Sequence, residues 1–303
     1  MNVLVAGTVA LDNVKTPTAY REDLMGGSAA YAAIAASFFA PVRLVSIVGH
    51  DFPEEHIETL KARDICTDGI EVSDGESFRW SGEYHEDMND RTTHSVAINV
   101  LEAFDPKLPD HYRDSSVVVL GNMSPKNQLD VIGQSHDDAY IVADTMDIWI
   151  QAAHEELLEV LTKIDLLVLN DSEAKLFMET NNIIVAGKKL LGLGPANVVI
   201  KTGEHGALLF GNGEVDFFRC GAYPLDIVED PTGAGDCFLG GFAGYLASLK
   251  RKPEFADLRR ACIHGTIMAS FNCQSFSTER LSALTQDDIE LRFEEFRAFS
   301  HFD

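Results

Sequence analysis

Val228-Glu-Asp-Pro-Thr-Gly-Ala-Gly-Asp-Cys-Phe-Leu-Gly-Gly-Phe242 leaves a strand-like segment, turns through glycines and enters a long apolar helix. Gly233 and Gly235 let backbone N–H groups converge at the start of that helix, where unpaired amides and the positive dipole end favour an anion. Asp236 then falls in the first turn, beside the point where negative charge gathers. A carboxylate there is a poor anion ligand but a good acceptor for a hydroxyl proton in phosphoryl transfer. In isolation it would serve equally well to complement the helix dipole. Gly240, Gly241 and Gly244 recur within the helix, a cost that close packing against another element would explain.

Outward from this loop, short apolar runs alternate with amphipathic stretches, the signature of parallel strands joined by crossover helices. Val3–Ala6, Val42–Val48, Val117–Leu120, Tyr140–Ala143, Leu166–Leu169 and Val198–Ile200 are apolar on both faces and read as central strands. Helices are expected at Ser28–Phe39, Glu54–Ala62, Ile150–Thr162, Glu173–Glu179, Val185–Leu191, Ala234–Leu249 and Phe255–Ser270. The expected fold is a single α/β domain over 1–303, three-layered and doubly wound. From about Gly69 to Val100 the rhythm changes to alternation, with Phe78, Trp80, Gly82 and Tyr84 on one face. That predicts a small antiparallel β appendage over the carboxyl edge of the main sheet, from about 12–24 and 69–100. A further hairpin is expected at Ala207–Phe218, turning at Gly211-Asn-Gly213.

Composition narrows the function. Forty-eight acidic against twenty-four basic residues give a formal charge of -24. Such a field repels phosphate backbones and anionic lipid, so nucleic acid and membrane partners are not expected. The five cysteines are odd in number, widely spaced and form no C-x-x-C pair. That pattern fits reduced thiols in a cytoplasmic protein rather than a disulfide frame or a zinc site. The N-terminus reads as a first strand, not a signal peptide, and no run is long enough to span a membrane.

Asp230-Pro-Thr-Gly-Ala-Gly-Asp236, followed by Phe238 and Gly241, resembles the C-terminal signature of the ribokinase-like, or PfkB, carbohydrate kinases. Gly26-Gly27-Ser-Ala-Ala-Tyr-Ala-Ala33 resembles the family's N-terminal signature. The resemblance spans nearly the whole chain. It implies ATP-dependent phosphorylation of a small acceptor, with Asp236 as base and the Gly233, Ala234 and Gly235 amides as anion hole. It also implies that Asn170-Asp-Ser-Glu173 organises Mg²⁺ and phosphate, Glu173 acting indirectly, although the same tetrapeptide is ordinary helix capping. Lys201, Gly203, Gly206 and Thr232 fall on the nucleotide side, where Lys201–Gly206 could equally be a plain turn. His264 is either a wall of the base pocket or a buried core histidine. Asp230 and the Thr232 carbonyl match positions that hold K⁺ in several relatives.

For the acceptor, the resemblance points to Asp12, whose two oxygens suit a vicinal diol. Gly26 and Gly27 would let substrate lie against backbone. Asn122 stands where some relatives contact substrate, and Arg91 in the appendage, which corresponds to the family's lid, meets either an acceptor anion or its neighbours Asp87 and Asp90. Ser28 and Tyr31 replace the lysine and asparagine of ribokinases proper, so ribose specificity does not carry over. A sugar is the leading acceptor, with a nucleoside stacked on Tyr31, Phe78, Trp80 or Trp149 as the alternative. A kinase-like protein that binds without turnover is the reading from another class. Lids in this family often form homodimers, and the Phe78, Trp80 and Tyr84 strip is the candidate surface here.

Overall fold

The structure is a computed structural model that describes residues 1–213 and 216–300. Its strands are β1 Val3–Ala6, β2 Ala10–Lys15, β3 Tyr20–Gly26, β4 Val42–Gly49, β5 Cys66–Ser73, β6 Arg79–Tyr84, β7 Arg91–Ala97, β8 Val117–Leu120, β9 Tyr140–Asp144, β10 Leu166–Asn170, β11 Asn197–Lys201, β12 Ala207–Gly211 and β13 Phe217–Cys220. Its helices are α1 Ser28–Ser37, α2 Glu54–Lys61, α3 Pro125–Gln134, α4 Asp147–Ala152, α5 His154–Leu161, α6 Asp171–Phe177, α7 Ile183–Leu191, α8 Ala234–Ser248, α9 Phe255–Asn272, α10 Glu279–Ser282 and α11 Gln286–Ser300.

Nine strands form one sheet in the order β13-β12-β11-β10-β9-β8-β1-β4-β5. From β11 to β5 the pairs are parallel, and β12 and β13 add antiparallel to one edge. Successive side chains of the central strands enter opposite cores. Val3, Val5, Val117 and Val119 pack with α1, α8 and α9, whereas Leu4, Ala6, Val118 and Leu120 pack on the other face. Burial on both faces is why these strands read as unbroken apolar runs. The order reverses between β1 and β8, which opens a crevice at their carboxyl ends. There a Cβ on either Gly7 or Gly121 would crowd the Ser28 hydroxyl.

A second sheet, β3-β2-β6-β7, consists of two antiparallel hairpins joined through parallel pairing of β2 with β6. The lid is therefore smaller than its alternation predicted. Residues 66–73 belong to the edge of the main sheet, paired with β4. The expected helix at Ile150–Thr162 is broken at Ala153, whose backbone leaves helical geometry. In the β12–β13 hairpin the Gly211 N–H donates to the Asp216 carbonyl at 2.8 Å, so the loop extends beyond Gly213, and 214–215 lie outside the described residues.

Candidate active site

Adjacent strands end in polar residues at the crevice: Asp144 on β9, Asn170 on β10 and Lys201 on β11, with Asn170 and Lys201 in register. Opposite them stands the loop into α8. Gly233 caps this helix at φ 78°, a left-handed conformation that suits glycine. A side chain there would also overlap the Tyr31 ring, which lies buried beneath it. The Ala234 amide turns back to the Pro231 carbonyl at 3.1 Å and is lost to the expected anion hole. Among the described residues the Gly233, Gly235 and Asp236 amides have no protein acceptor.

Asp236 is surrounded by charge. Burial and the nearby Asp144 push its carboxyl up to about 7, against the pull of Lys201 and Arg91. Lys201 Nζ lies 3.4 Å from Asp144 Oδ2, and a Cβ built on Gly235 would stand 3.0 Å from it. Burial disfavours the ammonium, but Asp144, Glu173 and Asp236 outweigh it and hold its pKa above that of an ordinary lysine. A cation thus lies beside Gly235 at the start of α8. Lys201 ends β11 rather than lying within the nucleotide-side turn, and the strand register carries its side chain across β10 to Asp144.

Asn170 and Glu173 form a complete capping box: Asn170 Oδ1 accepts from the Glu173 N–H at 2.8 Å, and Glu173 Oε2 accepts from the Asn170 N–H at 2.7 Å. Even so, burial and Asp144 raise the Glu173 carboxyl to about 7. A carboxylate left short of positive charge beside Asp144 fits a hydrated divalent cation such as Mg²⁺.

The loop is braced from behind. Asp230 is fully buried and accepts from the Thr232 and Ser277 amides at 2.9 and 3.4 Å, while Asn272 Nδ2 donates to the Thr232 carbonyl at 2.7 Å. The two groups offered to K⁺ are therefore already bonded within the protein. Asn272 carried no sequence signal beyond its place at the end of α9.

On the acceptor side, Asp12 is 4% exposed, and a Cβ on Gly26 would fall inside its carboxylate. Burial, then Asp230 and Asp236, raise Asp12 to about 8. Across the lid, Asp12 is in register with Trp80, and Tyr84 with Arg91. Thr232 Oγ1 donates to the Tyr84 hydroxyl at 3.3 Å, latching the lid to the anion loop. At the lid tip, Asn89 Oδ1 would stand 3.5 Å from a Cβ on Gly203, so the lid bridges to the loop closed by Gly206. Arg91 forms no ion pair with Asp87 or Asp90 and instead bears on Tyr84 and Asp236. Trp80 and Tyr84 pack on Val14 and Phe276 instead of forming an outward strip.

Three assignments are corrected. Tyr31 offers no stacking face, being the floor under Gly233. Ser28 is committed to Thr8: its N–H donates to Thr8 Oγ1 at 3.0 Å, and the Thr8 N–H donates to Ser28 Oγ at 3.3 Å. His264 stacks between Tyr245 and Phe293, against Phe39, and burial lowers its pKa to about 4. Tyr245 lies nine residues beyond Asp236, about 13 Å down the helix, which removes His264 from the base pocket. Asn122 stays at the crevice with Oδ1 accepting from Trp149 Nε1 at 2.8 Å, leaving its amide donors for a ligand.

A model of the pfkB family carbohydrate kinases matches residues 9–285. The chain belongs to this family. Like other pfkB kinases it is a phosphotransferase acting on a hydroxyl group, of the sugar or nucleoside kinase type. It is 30% identical over 250 residues to a cytidine kinase of Thermococcus kodakarensis, covering 81% of this chain and 88% of that protein. The pfkB fold is equally plain among solved structures. A ribokinase from Giardia lamblia superposes with a TM-score of 0.82 at 18% identity, over 98% of this chain and 99% of that one. Burkholderia thailandensis nucleoside kinase in complex with inosine gives 0.79 at 19%, over 99% and 98%. No described helix is long and apolar enough to cross a membrane.

Proposed function

We propose that this protein transfers the γ-phosphoryl group of ATP to a primary hydroxyl of a neutral, nucleoside-type acceptor. The observation that carries the reading is Asp236 at the amino end of α8, with a pKa near 7, between Lys201 and unpaired glycine amides. Asp236 takes the hydroxyl proton as the oxygen attacks the γ-phosphorus, and the bond to the β-phosphate oxygen breaks to leave ADP. The Gly233 and Gly235 amides, Lys201 and Arg91 meet the charge on the moving phosphoryl. Asn170 and Glu173 would hold Mg²⁺ through water, and when bound the ion neutralises phosphate charge. Closure of the lid through Tyr84 and Thr232 excludes water from the acceptor.

The acceptor follows from charge and shape. Asp230 and Asp236 sit close enough to Asp12 to raise it, so a carboxylate or phosphate on the acceptor would be repelled. Asp12 suits a vicinal diol, and Trp80 opposite it on the lid supplies an apolar plane for a base. Similarity to a cytidine kinase supports the same choice. A free neutral sugar is the second reading, favoured by the burial of Tyr31, which removes one stacking surface. ADP release measured with cytidine, inosine, ribose and 2-keto-3-deoxygluconate separates them. A nucleoside should lead in kcat/KM by about 100-fold or more, the scale of pocket discrimination. Best turnover with ribose establishes the sugar reading, and best turnover with the acid overturns the neutral-acceptor argument.

A further inference from the structure

Away from the phosphate site, Cys66, Asp68 and His111 bring a thiol, a carboxylate and an imidazole so close that their ligand atoms all lie within 4.8 Å of one another. Cys66 Sγ is 3.9 Å from His111 Nε2, which is 3.3 Å from Asp68 Oδ2. Around a four-coordinate ion with bonds of about 2.0–2.3 Å, neighbouring ligand atoms stand roughly 3.3–3.8 Å apart. Two of the three separations are nearly in place.

We propose that these three residues bind a zinc-class divalent transition-metal ion, leaving one coordination position open to solvent. Cys66 and Asp68 are two apart on β5, where a bulge against β4 lies between Cys66 and Gly69, and both side chains reach His111. His111 comes from the short turn Asp110–Tyr112, and its neighbour fixes it there. Tyr112 is fully buried; its hydroxyl donates to the Cys66 carbonyl at 2.8 Å and accepts from the Gly69 N–H at 3.2 Å. The His111 ring packs edge-on against Tyr112 with centroids 4.8 Å apart. The segment carrying the imidazole is thereby bolted to the strand carrying the other two ligands. Arg43 on β4 is paired with Asp114 and with Ser115 Oγ, and Arg113 is paired with Asp110, so neither competes for the carboxylate. A thiolate, imidazole and carboxylate set is the chemistry of zinc, cobalt and their neighbours rather than of Mg²⁺.

Cys66 opens β5, so the trio lies at the amino end of this parallel strand, the opposite edge of the sheet from the anion loop. Cys66 and Asp68 precede the lid excursion, and His111 follows it just before β8. A bound ion would tie the outgoing and returning stems of the lid. The ligands come from positions 45 residues apart, so no compact spacing motif reveals them.

The test uses the full chain, reduced and free of chelator, titrated with Co²⁺ alone. A thiolate-to-cobalt charge-transfer band should saturate at one equivalent and be displaced by Zn²⁺, and Zn²⁺ should raise the melting temperature. Cys66→Ser should abolish the band. His111→Ala should weaken Co²⁺ binding by more than about 100-fold, beyond the 10- to 100-fold loss typical of an outer partner. Asp68→Asn should weaken it as well, while acceptor-dependent turnover under Mg²⁺ stays unchanged in all three. No band in the wild-type chain, or a band that survives Cys66→Ser, overturns the proposal. So does a Zn²⁺ melting shift of equal size in wild type and His111→Ala.

Discussion

Asp236 and Asp12 are carboxyl groups kept above the usual range, at about 7 and about 8, by burial and by neighbouring carboxylates, Asp144 near Asp236, and Asp230 and Asp236 near Asp12. A base with that pKa gives a specific rate profile: kcat/KM for the acceptor should rise about tenfold per pH unit below about 7 and level off above it. Stability runs the opposite way. Both groups bind protons more tightly folded than unfolded, so their contribution is complete below the unfolded value of 3.8 and is lost as pH rises through 7 to 8. Melting temperature should therefore fall between pH 5 and pH 8.5, and Asp12→Asn should flatten that fall. The same substitution should raise the acceptor KM severalfold near pH 7, where Asp12 is mostly protonated and a hydrogen bond to a neutral group contributes about 0.5–1.5 kcal/mol. A pH-independent melting point in wild type would contradict the raised pKa values. Asp236 and Asp12 were legible in the sequence because glycines flank them or a strand precedes them. The occupation of Tyr31 and Ser28 was not, since both depend on partners that only the fold supplies, Gly233 and Thr8.

Among the elements, α8 is packed so tightly on α1 that a Cβ at Gly240 would overlap the Ala32 carbonyl and stand 2.7 Å from Ala32 Cα. Gly240→Ala should cost about 1–3 kcal/mol through overpacking, read as a melting point lowered by several degrees. Gly133, exposed in α3, has nothing within 4 Å of such a carbon, and Gly133→Ala should stabilise by about 0.5–1 kcal/mol. If the two substitutions behave alike, the packing account of the α8 glycines fails. The central strands were readable because both their faces are apolar. β5 was not, because Cys66–Ser73 is a half-exposed edge strand without an apolar run. α3 escaped because its polar surface residues mask the Ser124 cap that starts it. α11 is likewise rich in acidic surface residues, with only Ile289 and Phe296 buried.

At the scale of the molecule, the lid joins acceptor, anion loop and nucleotide-side loop through Asp12, Tyr84 with Thr232, and Asn89 beside Gly203. Alternation revealed that such a sheet exists, but not its inward face, which follows from the β2–β6 register. Tyr84→Phe removes the latch while keeping the ring on Val14 and Phe276. It should raise acceptor-independent ATP hydrolysis severalfold and leave the melting point nearly unchanged, as expected of a gate rather than a support. Unaltered hydrolysis would separate the latch from water exclusion. The central claim is that Asp236 moves the proton while the surrounding amides and Lys201 hold the phosphoryl charge. Acceptor-dependent turnover of Asp236→Asn, measured at saturating ATP with nucleotide affinity monitored in parallel, tests it most directly. The predicted result is a kcat lower by about 10²–10⁴ with nucleotide binding retained, and turnover close to wild type would contradict it.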